Sequence, residues 1–204
     1  MIDFTLPKEL IAQTPAIPRD SARLLVYKRS TKSIVDTIFS ELNTHLLPET
    51  TLVLNNSKVE HCRLLFPNIK AEIFILKTIS NNEALAMVRP GKRFKVGDVI
   101  QLEGEISVQV VSIDDNGFRV LRFNCSIEDM RLDAYRHVPL PPYIAQNDSL
   151  ALEYQTVFAE NVGSKAAPTA GLHFTNDLLK KTKKLHDIAE ITLHVGLGTF
   201  APLT

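Results

Sequence analysis

Short apolar and β-branched runs punctuate the first quarter of the chain at Arg23–Tyr27, Ile34–Ile38 and Thr51–Asn55, and they predict strands. Between the last two, Ser40 to Leu47 predicts a short helix stopped by Pro48. Ala71–Lys77, Ala84–Val88, Ile106–Ile113 and Phe118–Phe123 follow, separated by Asn81-Asn82, Gly97-Asp98 and Asn116-Gly117. Strands so closely spaced predict an antiparallel barrel or sandwich. Ser126 and Asp129 open a predicted helix through Arg136. The prolines of VPLPPYI, residues 138–144, then predict a stiff connector. Asp148 and Ser149 open a predicted helix through Ala159, with Leu150, Tyr154 and Val157 or Phe158 on one face. A small-residue loop, GSKAAPTAG at 163–171, leads to a helix capped by Thr175, and a final strand is predicted over Glu190–Val195.

Composition adds exclusions. The chain has 204 residues, 45% of them hydrophobic, with 23 basic and 23 acidic side chains. That composition is globular, not disordered, and zero net charge supplies no global pull towards nucleic acid. Cys62 and Cys125 stand far apart outside any C-x-x-C pair, which predicts two buried thiols in a reducing compartment. No apolar run approaches a membrane span and the N-terminus does not read as a signal peptide, so the expected location is cytoplasmic.

Four stretches could carry chemistry. In the loop from Gly163 to Phe174, small residues let backbone approach a ligand, Gly171 permits unusual dihedrals, and His173 precedes a helix start. The plainer reading is a tight loop with a buried histidine. HVGLGTF, 194–200, ends a strand in Gly-x-Gly, which exposes backbone beside a ligand or simply packs closely. In RDSARLLV, Arg19 and Asp20 could position a polar ligand or form a surface ion pair, and Asn55 and Asn56 end another strand. RPGKRFK gathers Arg89, Lys92, Arg93 and Lys95 without an acid, a loop suited to phosphates, and Phe94 there could stack a base or pack inward. Lys180, Lys181, Lys183 and Lys184 read as a solvated helix face. His61, His173 and His194 lack short ligand spacing, so no metal is expected.

Together these stretches resemble the S-adenosylmethionine:tRNA ribosyltransferase-isomerase family of queuosine biosynthesis. The matching strings are DFTLPKELIAQTPAIPRDSARLLV at 3–26, LVLNNSKVEHCRL at 52–64, RPGKRFKVGD at 89–98 and VPLPPYI at 138–144. YQTVFA at 154–159, GSKAAPTAGLHFT at 163–175 and ITLHVGLGTFAPL at 191–203 complete the series in family order. The resemblance implies an α+β fold: a mixed α/β body from residues 1–64 and 136–204, with an antiparallel β-barrel inserted over 65–135. It implies that S-adenosylmethionine serves as ribosyl donor, with no permanently bound cofactor. The implied acceptor is 7-aminomethyl-7-deazaguanine in a tRNA, and the implied product is epoxyqueuosine-tRNA. Such chemistry needs a base for a sulfonium-activated proton, a donor for departing adenine, and shelter from water.

On this resemblance His173 and Asp20 are the expected catalytic groups. Arg19, Asn55, Asn56, Ala167, Pro168, Thr169, Gly171, His194, Gly196 and Gly198 are the expected substrate contacts, and Arg89, Lys92, Arg93 and Lys95 the expected tRNA contacts. Lys165, Glu153 and Arg136 stand where the family has a small apolar residue, an arginine and a glycine. Family members continue past GLGTF, so a shortened enzyme is the first expectation, expected to be monomeric. A non-catalytic relative binding RNA or a nucleoside is the alternative, and a shortened chain completing its core by self-association is a third.

Overall fold

The computed structural model describes residues 5–141, 143–145 and 147–196. In chain order the strands are β1 Arg23–Lys28, β2 Ser33–Ile38, β3 Thr51–Asn55, β4 Ser57–Val59, β5 Arg63–Phe66, β6 Ala71–Thr78 and β7 Glu83–Arg89. Then come β8 Val99–Gln101, β9 Ser107–Ile113, β10 Arg119–Phe123, β11 Arg136–His137, β12 Asn161–Ser164 and β13 Asp187–Ile191. Two α-helices are described, α1 Leu42–His45 and α2 Asn176–Leu185, so the protein is mostly β. The chain divides into two compact units, 1–59 with 140–204, and 60–139.

The 60–139 unit is a seven-stranded antiparallel sheet in the order β11-β5-β6-β7-β10-β9-β8. Alternate residues of β7 and β9 point inward, and Phe66, Ile73, Phe94, Val108 and Leu121 are fully buried there. Register shifts after Ile75 and Val120 mark bulges, which add twist and bend the sheet. Among the described residues no ladder joins β8 to β11, so the expected barrel is an open, curled sheet. Side chains span its opening. Asn68 donates from its backbone N–H and its amide to the Glu103 carboxylate at 2.7 and 2.9 Å, and Gly104 lies against Tyr135.

The other unit contains the β1–β2 hairpin and two parallel pairs, β3–β13 and β4–β12. Helix α2 covers one face of β3–β13, where Leu54, Phe39, Phe174, Leu178 and Leu179 form a core with Leu52 and Ile188 beside it. Thr175 caps α2 as expected, its Oγ1 accepting from Leu178 N–H at 3.1 Å, and the four lysines of its polar face are exposed.

Several sequence expectations need correction. The helix expected over Asp148–Ala159 is a three-residue 3₁₀ turn, Asp148–Leu150, followed by irregular turns. Tertiary partners take over its polar groups: the carbonyls of Leu152 and Gln155 accept from Arg19, and the Gln155 amide pairs with both backbone groups of Val59. The helix expected after Ser126 is a 3₁₀ segment, Met130–Tyr135, capped by Asp129. The Arg131 guanidinium and backbone N–H on Asp129 hold its carboxyl down at about 2. The helix expected over Ser40–Leu47 is a 3₁₀ turn at Phe39–Glu41 plus one α-turn, without a side-chain cap. The last strand starts three residues early and ends at Ile191; beyond it the Asn55 amide takes over both backbone groups of Leu193, and Asn56 Oδ1 accepts from the Thr192 hydroxyl. Strands β4, β5, β8, β11 and β12 are too short to leave a periodic signal.

Candidate functional site

A cavity of about 360 Å³ lies within the unit built from both chain ends. The small-residue loop supplies Thr169, Leu172 and His173; the irregular turns supply Glu153 and Tyr154; Gln13 and Thr14 come from the N-terminal segment. The proline connector adds Leu140, Pro141, Tyr143 and Ile144, an apolar side. Gln13 holds that connector in place, donating to Tyr143 O at 3.1 Å and accepting from Ala145 N–H at 3.0 Å. An apolar wall with a few convergent polar groups is the general form of a small-molecule site.

His173 is exposed at this cavity, its ring 5.3 Å from that of Phe39. Phe174, the next residue, packs edge-on against Phe39 at 5.1 Å inside the core, so the histidine projects from a fixed base. Tyr154 is buried, which pushes its hydroxyl above the usual phenol range, against a hydrogen bond from the Ala167 backbone that lowers it. At neutral pH it is therefore a phenol that can donate. Ala166 and Ala167 are buried, while Thr169 is exposed and Pro168 half-buried. Gly171 has no room for a side chain: a Cβ would lie 2.6 Å from Phe158 Cζ and 3.1 Å from Thr156 Cγ2.

Arg19, expected at the substrate, and Asp20, expected in catalysis, both have intramolecular partners, and neither is among the residues that line the cavity. Arg19 pairs with Glu153 at 2.9 Å and reaches three carbonyl oxygens, while Thr175 Oγ1 donates to Asp20 Oδ2 at 3.0 Å.

Asn55, Asn56 and His194 belong to a second group of contacts, where the strand ends meet, and Gly196 is exposed just beyond it. The Asn55 amide imitates a strand, donating to Leu193 O at 2.8 Å and accepting from Leu193 N–H at 3.0 Å. Asn56 is buried, its Oδ1 accepting from Thr192 and Asn161. The His194 ring packs on Gly163, whose φ of 143° and lack of a Cβ both suit it. Ser164 Oγ accepts from Val195 N–H at 2.9 Å and donates to Ala166 O at 2.7 Å, linking this group to the small-residue loop. Gly198 lies outside the described residues.

In the 60–139 unit, Arg89, Lys92, Arg93 and Lys95 are all exposed around a 3₁₀ turn at Gly91–Arg93. Phe94 is fully buried, so of its two expected roles it takes inward packing and anchors the loop. Arg93 donates to Ile69 O, leaving the other three to face solvent. Cys62 and Cys125 are buried, and burial pushes the Cys125 thiol up. Among the described residues no three His, Cys, Asp or Glu side chains converge on a metal-sized point, and no helix is long and apolar enough to cross a membrane.

Sequence reading missed Tyr154, Glu153 and Gln13. Tyr154 and Gln13 lie inside strings shared with the resembled family, and Glu153 was visible as a departure from it. Nothing local marks any of them as cavity-lining.

Comparisons with known proteins bear on the same residues. The family described as "Queuosine biosynthesis protein" matches residues 1–204. An S-adenosylmethionine:tRNA ribosyltransferase-isomerase of Sulfurihydrogenibium sp. is 45% identical over 98% of this chain and 62% of its own length. The same-named protein of Thermosipho africanus is 45% identical over 98% and 61%. A crystal structure of an S-adenosylmethionine tRNA ribosyltransferase from Thermotoga maritima is 34% identical over 95% of this chain and 57% of that one, with a TM-score of 0.39. The chain thus spans about three-fifths of the length of the curated relatives it matches. The protein belongs to the queuosine biosynthesis family of S-adenosylmethionine:tRNA ribosyltransferase-isomerases.

Proposed function

We propose that the protein transfers and isomerises the ribosyl moiety of S-adenosylmethionine onto 7-aminomethyl-7-deazaguanine in tRNA, giving epoxyqueuosine-tRNA and releasing adenine and methionine. The observation that supports this most directly is the cavity around His173. The family-specific loop builds one part of it, and a buried phenol, a carboxylate and an imidazole converge there among apolar walls. His173 serves as the proton-transfer group, since an imidazole offers one ring nitrogen to accept a proton and another to donate one. Tyr154 is placed to donate to a departing or anionic group. Thr169 contacts substrate at the cavity, while Ala167, Pro168 and Gly171 shape the loop that encloses it.

Asn55, Asn56 and His194 act one layer away, where the strand ends are joined to the loop through Ser164, and Gly196, exposed beyond them, lets backbone approach the substrate. Arg89, Lys92 and Lys95 meet tRNA phosphates, with Arg93 holding their loop. The unit division near residues 60 and 139 supports a domain inserted over about 65–135, its curled sheet standing for the family's barrel, in a body made from the two ends. S-adenosylmethionine is a substrate in this reading, no cofactor is permanently bound, and the protein works in the cytoplasm.

Incubation with S-adenosylmethionine and tRNA carrying the aminomethyl base tests the proposal. Adenine release that depends on that tRNA is expected, and His173→Ala is expected to abolish most of it, a loss of about 10²–10⁴-fold. Wild-type release from His173→Ala would remove the histidine from the mechanism. Retained tRNA binding without adenine release would favour the non-catalytic relative.

A further inference from the structure

We propose that Arg19 is a positioning residue for the cavity, clamping together the two segments that supply its polar wall, with Glu153 as the anchor that aims the clamp. The inference rests on the reading of the cavity as the S-adenosylmethionine site.

Arg19 lies in a single 3₁₀ turn, Arg19–Ser21, immediately before β1. Its Nη1 donates to Gln155 O at 2.6 Å and to Leu172 O at 3.5 Å, and its Nη2 donates to Leu152 O at 3.1 Å. Its Nε donates to Glu153 Oε2 at 3.0 Å, and the ion pair closes at 2.9 Å from Nη2. The Arg19 side chain is 18% exposed; its bonds to Glu153, Gln155 O and Leu172 O are part-buried, and the one to Leu152 O lies at the surface. One fork therefore holds both the 152–155 turns, which bring Glu153 and Tyr154 to the cavity, and the 169–173 segment, which brings Thr169 and His173.

This arrangement accounts for the lost helix. In a helix the carbonyls of Leu152 and Gln155 would be taken by backbone N–H groups four residues on. Arg19 takes them instead, so the single helical turn that Tyr154 N–H closes on Leu150 O goes no further. Asp20 works from the same turn at the other end of the histidine segment, accepting from Thr175 Oγ1. Leu172 and Thr175 are thus both held from residues 19–20, with His173 between them.

The geometry requires a planar fork with several fixed donors. Lysine offers one compact ammonium and cannot span a carboxylate and three carbonyls at once. Glu153→Gln keeps the carbonyl contacts and loses only the charged anchor.

The test measures two properties of the purified full chain: affinity for S-adenosylmethionine by titration calorimetry, and amide exchange in peptides covering 152–155 and 169–173. Arg19→Lys is expected to weaken binding at least about tenfold and to speed exchange in both segments together. Glu153→Gln, the milder change, is expected to weaken binding about threefold. Arg23→Gln, which breaks an exposed pair with Asp36, is expected to match wild type. In the adenine-release assay, Arg19→Lys should raise the KM for S-adenosylmethionine more than it lowers kcat. A role in stability alone would lower Tm and leave the affinity of the folded protein unchanged. Full rescue by lysine, or loosening of only one segment, overturns the inference. If wild-type protein binds no S-adenosylmethionine, the reading of the cavity fails, and the exchange measurement still decides whether the clamp exists.

Discussion

Gly163 and Gly171 are glycines for different physical reasons. Gly163 adopts φ 143° under the His194 ring, where an L side chain would be strained as well as crowded. Gly171 has no unusual dihedral; Phe158 and Thr156 crowd the place where its Cβ would be. Phe158 in turn packs 6.1 Å from Phe174, against the core beneath α2, so it can yield only by giving up that packing. Gly171→Ala is therefore expected to cost about 1–3 kcal/mol by overpacking, read as a lowering of Tm by roughly 2–4 °C for each kcal/mol. Adding Phe158→Leu should recover part of the loss, whereas an unchanged Tm in Gly171→Ala would mean the ring moves freely. The sequence reading singled out Gly171 for unusual dihedrals in a loop of small residues beside a ligand; its φ lies outside the left-handed region, and what crowds it is the protein's own phenylalanine. Arg19 and Asp20 were equally visible as unusual, yet their partners lie 133–155 positions along the chain, beyond any local pattern.

Elements were legible where local chemistry and tertiary contacts agree. Thr175 followed by the amphipathic α2 reads directly from sequence, as do the alternating strands of the 60–139 unit. The 148–159 segment shows the converse: its apolar spacing suits a helix, and one arginine redirects its carbonyls. The basic loop between β7 and β8 lies between these cases. Its charges are plain in sequence, but only the structure shows that Phe94 is its anchor and that Arg93 is occupied by Ile69 O. Replacing Arg89, Lys92 and Lys95 together with Gln should therefore reduce the salt slope of tRNA binding by about 2, given roughly 0.7–0.9 per phosphate contact. Arg93→Gln should change that slope less than any of the three. Affinity measured across a salt series decides it, and an unchanged slope in the triple variant would take the loop out of the tRNA interface.

At the scale of the whole molecule the two units differ in how well their backbone is shielded. In the 60–139 unit, central strands β6, β7 and β10 are paired on both sides, and Ile73, Phe74, Ile75, Leu121 and Phe123 on them are at most 7% exposed. Among the described residues of the other unit every sheet has two strands, and an isolated two-stranded pair is marginal without further cover. Parallel strands are ordinarily covered on both faces, yet Val53 and Ile191 on β3–β13 are 61% and 47% exposed. Opening free energies should follow this contrast, because local opening is cheapest where few buried contacts hold a ladder. Amide exchange is therefore expected to be slowest in β6, β7 and β10 and measurably faster in β1, β2 and β13. Equal or greater protection in β13 would show that the parallel pair is covered in solution by something further. The cavity lies in the unit of two-stranded sheets. Its order then depends less on core packing than on a few long-range side chains, Arg19, Gln13 and Asn56 among them. Added S-adenosylmethionine should accordingly slow exchange at 152–155 and 169–173 while leaving β6, β7 and β10 unchanged.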